Sequence, residues 1–572
     1  MTYDVAIIGG GPAGATAGCL LRKYNPELKV AIFERERFPR DHVGESQLPG
    51  TPDVLDEMGC WDKVEAANFP IKIGATYLWG RTPELWNFEF IPSEAFEDQP
   101  RPAKFEGQRR ATAFQVDRSI YDKILLDHAA ELGCEVREEA RVQKVVRNGD
   151  RVENLILDSG EVVAARYFVD GSGTSGIVRR AMGVEVDHPS TLKNIAIYDY
   201  WQNADWAVEI GVGGTRIQIL SLGYGWIWFI PLGPTRTSIG LVVPASYYKE
   251  SGKRPEDLYA QAVREQPILA SLLKNATSEG KLQSTKDWSF LAKRNVGENW
   301  FLIGEAAGFA DPILSAGMSM AHLGGREVAY SILELDRGKE DPAWIREMFS
   351  ERQSGRIRNH IRFADYWYSA NAQFTELQEF CAELAHDTGL DLSPEKAWAW
   401  IAQGGFINED LSIGTGGYSL SLIKRSGEYL SELAAERPLD HNNVLKLDLA
   451  GATWRDRARY YAGRVLRDGC YAREGRILPI RDMFEFVLGL LQRESRWPVI
   501  IDLAEQEAGR RKDDGVFMNL VLPRVPQAIE AMILDGWIKV SYDPALPIIP
   551  LEDNSNSLHW YSAAKGRTTH EA

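Results

Sequence analysis

Three glycines, Gly9, Gly11 and Gly14, spell G-x-G-x-x-G, with Pro12 and Ala13 lying between the second and the third. They follow an apolar run at residues 3–8 and open a helical pattern at 13–23. At that spacing a tight turn brings the backbone close to a pyrophosphate and aims the first helix amides at it. Twenty residues past Gly14, Glu34 closes a second apolar run at 29–33. A carboxylate there accepts hydrogen bonds from an adenosine ribose and disfavours a 2′-phosphate. Strand, helix, strand and terminal acid in register define a dinucleotide site. A second set of residues sits far from the first. In Trp226-Ile227-Trp228-Phe229-Ile230-Pro231, the strand period of two puts Trp226, Trp228 and Ile230 on one face, either as a wall beside a site or as sheet packing. Lys72 stands just before an apolar strand pattern at 73–79, where burial would drive its amine toward neutrality.

The elements that must position these residues follow from periodicity. Residues 134–169 read as strands with hairpin turns at Asn148-Gly149-Asp150 and Asp158-Ser159-Gly160, ending in Asp170-Gly171. A second G-x-G-x-x-G, Gly171 to Gly176, lacks the following βαβ unit and acid, so it is not expected to bind a nicotinamide. Period-two stretches between 194 and 243 form an antiparallel sheet, expected to stand apart from the first unit. A buried strand at 300–303 returns to that unit and ends in Gly304-Glu305. After it, Asp311-Pro312-Ile313-Leu314-Ser315-Ala316-Gly317 opens a helix at 318–335, whose amides near Ala316 and Gly317 would face an anion. Beyond 341 the pattern is almost wholly helical. Phe363, Trp367, Tyr368 and Phe374 fall at helical spacing, to line a cavity or to pack on the core. A helix at 526–534 and a strand at 537–540 resemble half of a winged helix, but in this acidic chain they are expected only to close the C-terminal region.

The expected domains are therefore 1–190 with 285–340, 191–284, and 341–560, with a disordered tail at 561–572. The chain has 572 residues, 44% of them apolar, with 65 Lys and Arg against 81 Asp and Glu, a formal charge of −16. That balance opposes binding to nucleic acid or anionic lipid. Cys19, Cys60, Cys134, Cys381 and Cys470 are scattered, without disulfide or zinc spacing. Neither a signal peptide nor a membrane-spanning run is evident, so a cytoplasmic location is expected and no membrane partner.

The return of Asp170-Gly171 and Gly304-Glu305 to the first sheet resembles flavoproteins shaped like aromatic hydroxylases. The resemblance implies an FAD-binding, doubly wound Rossmann-like α/β domain, an antiparallel-sheet second domain and, here, a mainly helical C-terminal one. It also implies that Arg118, in Gln115-Val116-Asp117-Arg118, reaches the flavin chain, and that the acid at Glu305, usually the shorter Asp, meets the ribityl chain. W-x-W-x-I-P, Lys72, the segment Val43-Gly44-Glu45-Ser46 after Arg40, and the 311–318 loop make the chain similar to flavin-dependent halogenases over about residues 1–340. Within that family it resembles most the chloramphenicol- and chondrochloren-pathway type.

Similarity to the halogenases implies a reaction as well: a separate flavin reductase supplies reduced FAD, which with oxygen and chloride or bromide yields hypohalous acid. It also implies that Arg40, Ser46 and Pro312 lie at the flavin, and that Ser315, Ala316 and Gly317 hold the halide. By the same resemblance Trp226 and Trp228 keep substrate from the flavin's reactive oxygen, and Lys72 delivers the halogen to an electron-rich substrate of secondary metabolism, free or tethered to a carrier protein. Leu314 stands where tryptophan halogenases carry a glutamate, so free tryptophan is not the expected substrate. Asp287 resembles the aspartate joined covalently to flavin in the chloramphenicol-type enzyme. Two other readings stay open: a monooxygenase of the same fold, favoured by the Glu305 departure, and a non-catalytic flavin-binding or carrier-interaction protein.

Overall fold

The computed structural model describes residues 2–80, 82–91, 93–388, 438–510 and 525–549. They fall into two compact units, one holding the residues up to about 389 together with Tyr460–Val465, the other the remaining described residues. The first unit begins with the βαβ frame that the glycine pattern requires. Strand Thr2–Ile8 leads into helix Pro12–Tyr24 and then strand Val30–Phe33, which pairs parallel with the first. Seven strands make this sheet, in the order Glu135–Arg137, Val30–Phe33, Thr2–Ile8, Val162–Asp170, Arg151–Leu157, Val142–Asn148, with Trp300–Leu302 also on Val162–Asp170. The central strands are parallel and buried on both faces, which is why they read as continuous apolar runs. A Cβ at Gly14 would overlap the Gly9 carbonyl oxygen, and one at Gly325, in helix Gly317–Arg337, would overlap the Ala13 carbonyl. Both contacts need a residue without a side chain.

The second sheet has nine strands, ordered Thr277–Ser278, Lys193–Gln202, Arg236–Pro244, Gly225–Pro231, Gly214–Leu222, Ile71–Leu78, Leu85–Glu89, with Gln283–Trp288 and Ala113–Phe114 attached. It is antiparallel except where Ile71–Leu78 runs parallel to Gly214–Leu222. The expected domain limits at 190 and 285 therefore do not bound this sheet. It takes strands from 71–78, 85–89 and 113–114 on one side and 283–288 on the other. Local periodicity identifies a strand but not its partner, and a chain that leaves and re-enters a sheet leaves no mark on either strand. Lys72, expected just ahead of its strand, is the second residue within it, because pairing with Ala113 and Thr215 carries the strand back to Ile71.

Helix Pro342–Ser369, started by Asp341 accepting from the Ala343 amide, belongs to the first unit, so the division falls later than residue 340. In the second unit, helices Asp482–Leu491, Trp497–Arg510 and Val525–Leu534 accompany strands not read from the sequence: Val444–Leu447, Arg476–Pro479, and the greater parts of Thr453–Tyr461 and Arg464–Arg473. Their many arginines hide the alternation that marks a half-buried strand. The strand after Gly536, Ile538–Ser541, pairs antiparallel with Val444–Leu447, closing the region as expected. The expected tail at 561–572 lies outside the described residues.

Overpacking at Gly14 sets a first expectation: Gly14→Ala lowers stability by about 1–3 kcal/mol and weakens FAD binding. Thermal denaturation of purified protein and a flavin titration measure the two effects.

Candidate active site

At the nucleotide end, Gly9 has φ of 101° and its turn lies against Gly171, whose amide donates to the Ile8 carbonyl at 2.9 Å. The two glycine motifs thus meet back to back. Gly11 precedes helix Pro12–Tyr24 with no side chain capping it, and Pro12 spends no amide, so the amides of the first turn remain for an anion. A Cβ on Gly11 would have no neighbour closer than the Arg40 guanidinium at 3.7 Å. Glu34 is buried and accepts from the Gly10 amide at 2.7 Å and the Glu36 amide at 3.0 Å. It fixes the turn while its remaining lone pairs can meet a ribose. An open glycine cradle, uncapped amides, an arginine beside them and a terminal carboxylate fit FAD.

Arg118 is buried. It grips Asp122 at 2.7 and 2.8 Å and donates to the Val43 and Gly44 carbonyls, both at 3.1 Å. Its direct work is to fasten the 43–46 segment. Asp170 ends strand Val162–Asp170 and is fully buried. Its carboxylate accepts from the Ser172 amide and hydroxyl and from the Val178 and Arg179 amides, so it caps its own turn. Gly304 has φ of 56°, and Glu305 follows it in a short 3-10 turn, its pKa raised by burial and opposed by the Arg118 charge. The Gly171–Gly176 segment leads only to the five-residue helix Ile177–Ala181, and the next strand, Val186–Asp187, joins a different sheet.

At the anion end, Asp311 accepts from the Ile313 amide at 2.9 Å and starts the turn Pro312–Leu314. Ser315 takes a left-handed φ of 57°, and Ala316 begins the helix Gly317–Arg337 without a side-chain cap. Its first amides are therefore available, and a Cβ on Gly317 would meet nothing within 4 Å. Leu314 is buried and offers no carboxylate here. Asp287 lies on strand Gln283–Trp288 opposite Asn194, and its side chain is outside the described part of the structure.

The tryptophan pair falls on one face of strand Gly225–Pro231, while Ile227 and Phe229 turn to the core with Leu241 and Leu258. The indoles are 6.1 Å apart, and that of Trp228 lies over Gly240, where a Cβ would strike it. Trp228 donates to Ser238 Oγ at 3.0 Å and Trp226 to the Tyr368 hydroxyl at 2.8 Å. Tyr368 in turn donates to Asp311 at 3.2 Å, which ties the wall to the anion loop. Phe363, Trp367, Tyr368 and Phe374 are fully buried; Trp367 packs on Tyr77, Tyr368 and Phe374 on Trp79, and Phe363 on Trp367, the second of the two alternatives.

Lys72 is 2% exposed. Its Nζ donates to the Gln47 carbonyl at 3.0 Å and lies 5.5 Å from the Phe90 ring. Burial drives its pKa down to about 7. Glu45, read only as part of the 43–46 segment, is buried and accepts from the Tyr200 hydroxyl at 3.0 Å. Burial pushes it up to about 7 against the pull of that bond and of Arg118. Asp311 is likewise raised by burial to about 7. No spacing rule flags such groups, because their chemistry comes from burial by distant elements. A buried amine, a buried carboxyl, uncapped helix amides and a dinucleotide cradle lie in one unit, an arrangement that fits a flavin oxidoreductase.

The FAD binding domain family model matches residues 2–358. A chlorinase of 1H-pyrrole-2-carbonyl on a peptidyl-carrier protein, from Pseudomonas fluorescens, is 34% identical over 388 residues, 65% of this chain and 85% of the relative. A tryptophan 2-halogenase from Chondromyces crocatus is 29% identical over 392 residues, 67% and 71% of the two chains. The solved flavin-dependent halogenase CmlS shares the fold over 96% of this chain and 97% of its own, with a TM-score of 0.70 at 24% identity. The chain belongs to the flavin-dependent halogenases, enzymes that use FAD, oxygen and halide.

Burial of Lys72 gives a direct readout. In protein carrying isotope-labelled lysine, one side-chain resonance should titrate near pH 7, protonated below and neutral above, instead of near the ordinary ~10.4, and should vanish in Lys72→Met.

Proposed function

We propose that this halogenase passes its halogen through Lys72 to an electron-rich carbon of a small organic substrate, aromatic or enolisable, free or borne on a carrier protein. The carrier-borne case is supported by the pyrrole relative, whose name specifies a peptidyl-carrier substrate. The observation that carries the reading is the buried amine of Lys72, held on a strand with its pKa near neutrality. When bound, reduced FAD supplies, with oxygen, the two-electron oxidation that turns chloride or bromide into hypohalous acid. A separate reductase provides that reduced flavin, since the second glycine motif is built into the turn that Asp170 caps.

The chain's own residues divide the remaining work. Ser315, Ala316 and Gly317 hold halide against uncapped helix amides. Glu45 keeps or yields a proton near pH 7. Trp226 and Trp228 fill the space that an organic substrate would otherwise enter. The neutral amine of Lys72 attacks the halogen of hypohalous acid: the N–halogen bond forms, the O–halogen bond breaks, and hydroxide leaves as water with the amine proton. The substrate carbon then takes the halogen, and its own proton returns to the lysine nitrogen. Because only the neutral amine attacks, this step strengthens as pH rises through about 7.

Stopped-flow mixing of FADH2-loaded protein with oxygen and chloride or bromide, using a small electron-rich phenol as acceptor, tests the reading. Lys72→Ala should lose halogenated product by roughly 100-fold while flavin oxidation stays within about twofold. Undiminished product from the variant would remove Lys72 from the reaction.

A further inference from the structure

Lys72 does not stand alone at its end of the second sheet. Strand Ala113–Phe114 pairs antiparallel with Ile71–Leu78, setting Lys72 opposite Ala113. On its other edge the same stretch of chain meets the 45–47 segment. Ser46 lies opposite Gln115, between the bonds Gln47 N–H to Phe114 O at 3.0 Å and Val116 N–H to Glu45 O at 2.8 Å. Residues opposite one another in an antiparallel pair share a face, and so do residues two apart on one strand. Lys72, Ala113, Gln115 and Ser46 therefore share one face.

The lysine side chain must cross over this middle strand to reach its partner, since Gln47 lies on the far edge. Ala113, with only a methyl group, leaves room for the crossing. The ammonium or amine consequently arrives at the residue following Ser46, next to the Ser46 and Gln115 pair. Gln115 is fully buried, and neither the oxygen nor the nitrogen of its side-chain amide has a hydrogen-bond partner among the described residues. The buried Ser46 hydroxyl likewise has none. A native fold seldom strands a whole amide in this way, and such a group calls for a ligand.

A primary amide presents an N–H and a C=O side by side. Hypohalous acid presents the matching pair on one oxygen, a lone pair and an O–H, with the halogen projecting away. We propose that Gln115 is a binding residue of the halogen-transfer step: its Nε2–H donates to the oxygen of hypohalous acid, its Oε1 accepts the O–H, and the halogen is thereby turned toward Lys72 Nζ, with the Ser46 hydroxyl closing the third side. The hydroxide released when the amine takes the halogen leaves as water from the same amide. This inference rests on the reading of Lys72 as halogen carrier.

Gln115→Leu removes donor and acceptor at nearly constant volume, and Gln115→Met is the second variant should the first fold poorly. Two measurements are made on each. In turnover, halogenated product per oxygen consumed should fall roughly fivefold or more, with a matching rise in hypohalous acid escaping to an added thiol trap, and with FAD affinity within about twofold of the parent. Without turnover, oxidised flavin-loaded protein is treated with one equivalent of hypochlorous acid, and the share of chlorine on Lys72 among all lysines is read by mass spectrometry. That share should fall by a similar factor. Unchanged coupling and labelling would overturn the assignment, as would a large loss of FAD affinity, which would make Gln115 a flavin ligand. Lys72→Ala run in parallel separates the two claims: if it retains product, the lysine reading fails; if it loses product while the Gln115 variants behave as parent, only the role of Gln115 fails.

Discussion

An amine sealed from water must find partners for its charge or give up its proton, and much of the site is arranged around that demand on Lys72. One carbonyl, that of Gln47, and the face of Phe90 are all that the described residues offer it. Neither is an anion. Burial therefore wins, and the group sits near the midpoint of its titration at neutral pH. An acid within bonding distance would have restored the charge. A buried carboxyl on the adjoining segment, Glu45, is turned to Tyr200 instead. The two groups keep different partners.

The βαβ frame was legible because its constraint is local. Glycines at 9, 11 and 14, a strand on each side and an acid at the second strand's end are all within one stretch of chain, and the structure has each where the spacing requires. The alternating tryptophans were legible for the same reason, since the period of a strand decides which side chains share a face. Sheet membership was not. Nothing in residues 71–78 announces that their partner lies at 214–222, and the expected boundaries failed at that pairing. The C-terminal strands escaped because arginines at Arg455, Arg457, Arg459, Arg464 and Arg467 mask the apolar alternation.

Within the candidate site, several charged side chains act on nearby backbone. Asp170 lies at the strand end that the resemblance required, yet it caps the turn beyond that strand. Arg118 is no surface side chain, yet its bonds run to Asp122 and to the 43–44 carbonyls. Both hold backbone that a cofactor would touch. Conversely the sequence marks Glu45, Tyr368 and Gln115 only as members of longer patterns, without the polar partners the structure gives them. Their surroundings are contributed by segments more than 50 residues distant, such as strand Lys193–Gln202 for Glu45 and the loop at Asp311 for Tyr368, 57 residues away.

The parallel pairing of Ile71–Leu78 with Gly214–Leu222 decides which residues of the site move together. It binds Lys72, Trp226 and Trp228 into one hydrogen-bonded sheet, while Gly9, Gly11, Gly14 and Glu34 belong to the other. The residues of the nucleotide cradle and those around Lys72 are thus held by two different hydrogen-bonded frameworks. A shift of the second sheet moves Lys72, Trp226 and Trp228 together, while Gly9, Gly11, Gly14 and Glu34 keep the positions their own sheet gives them.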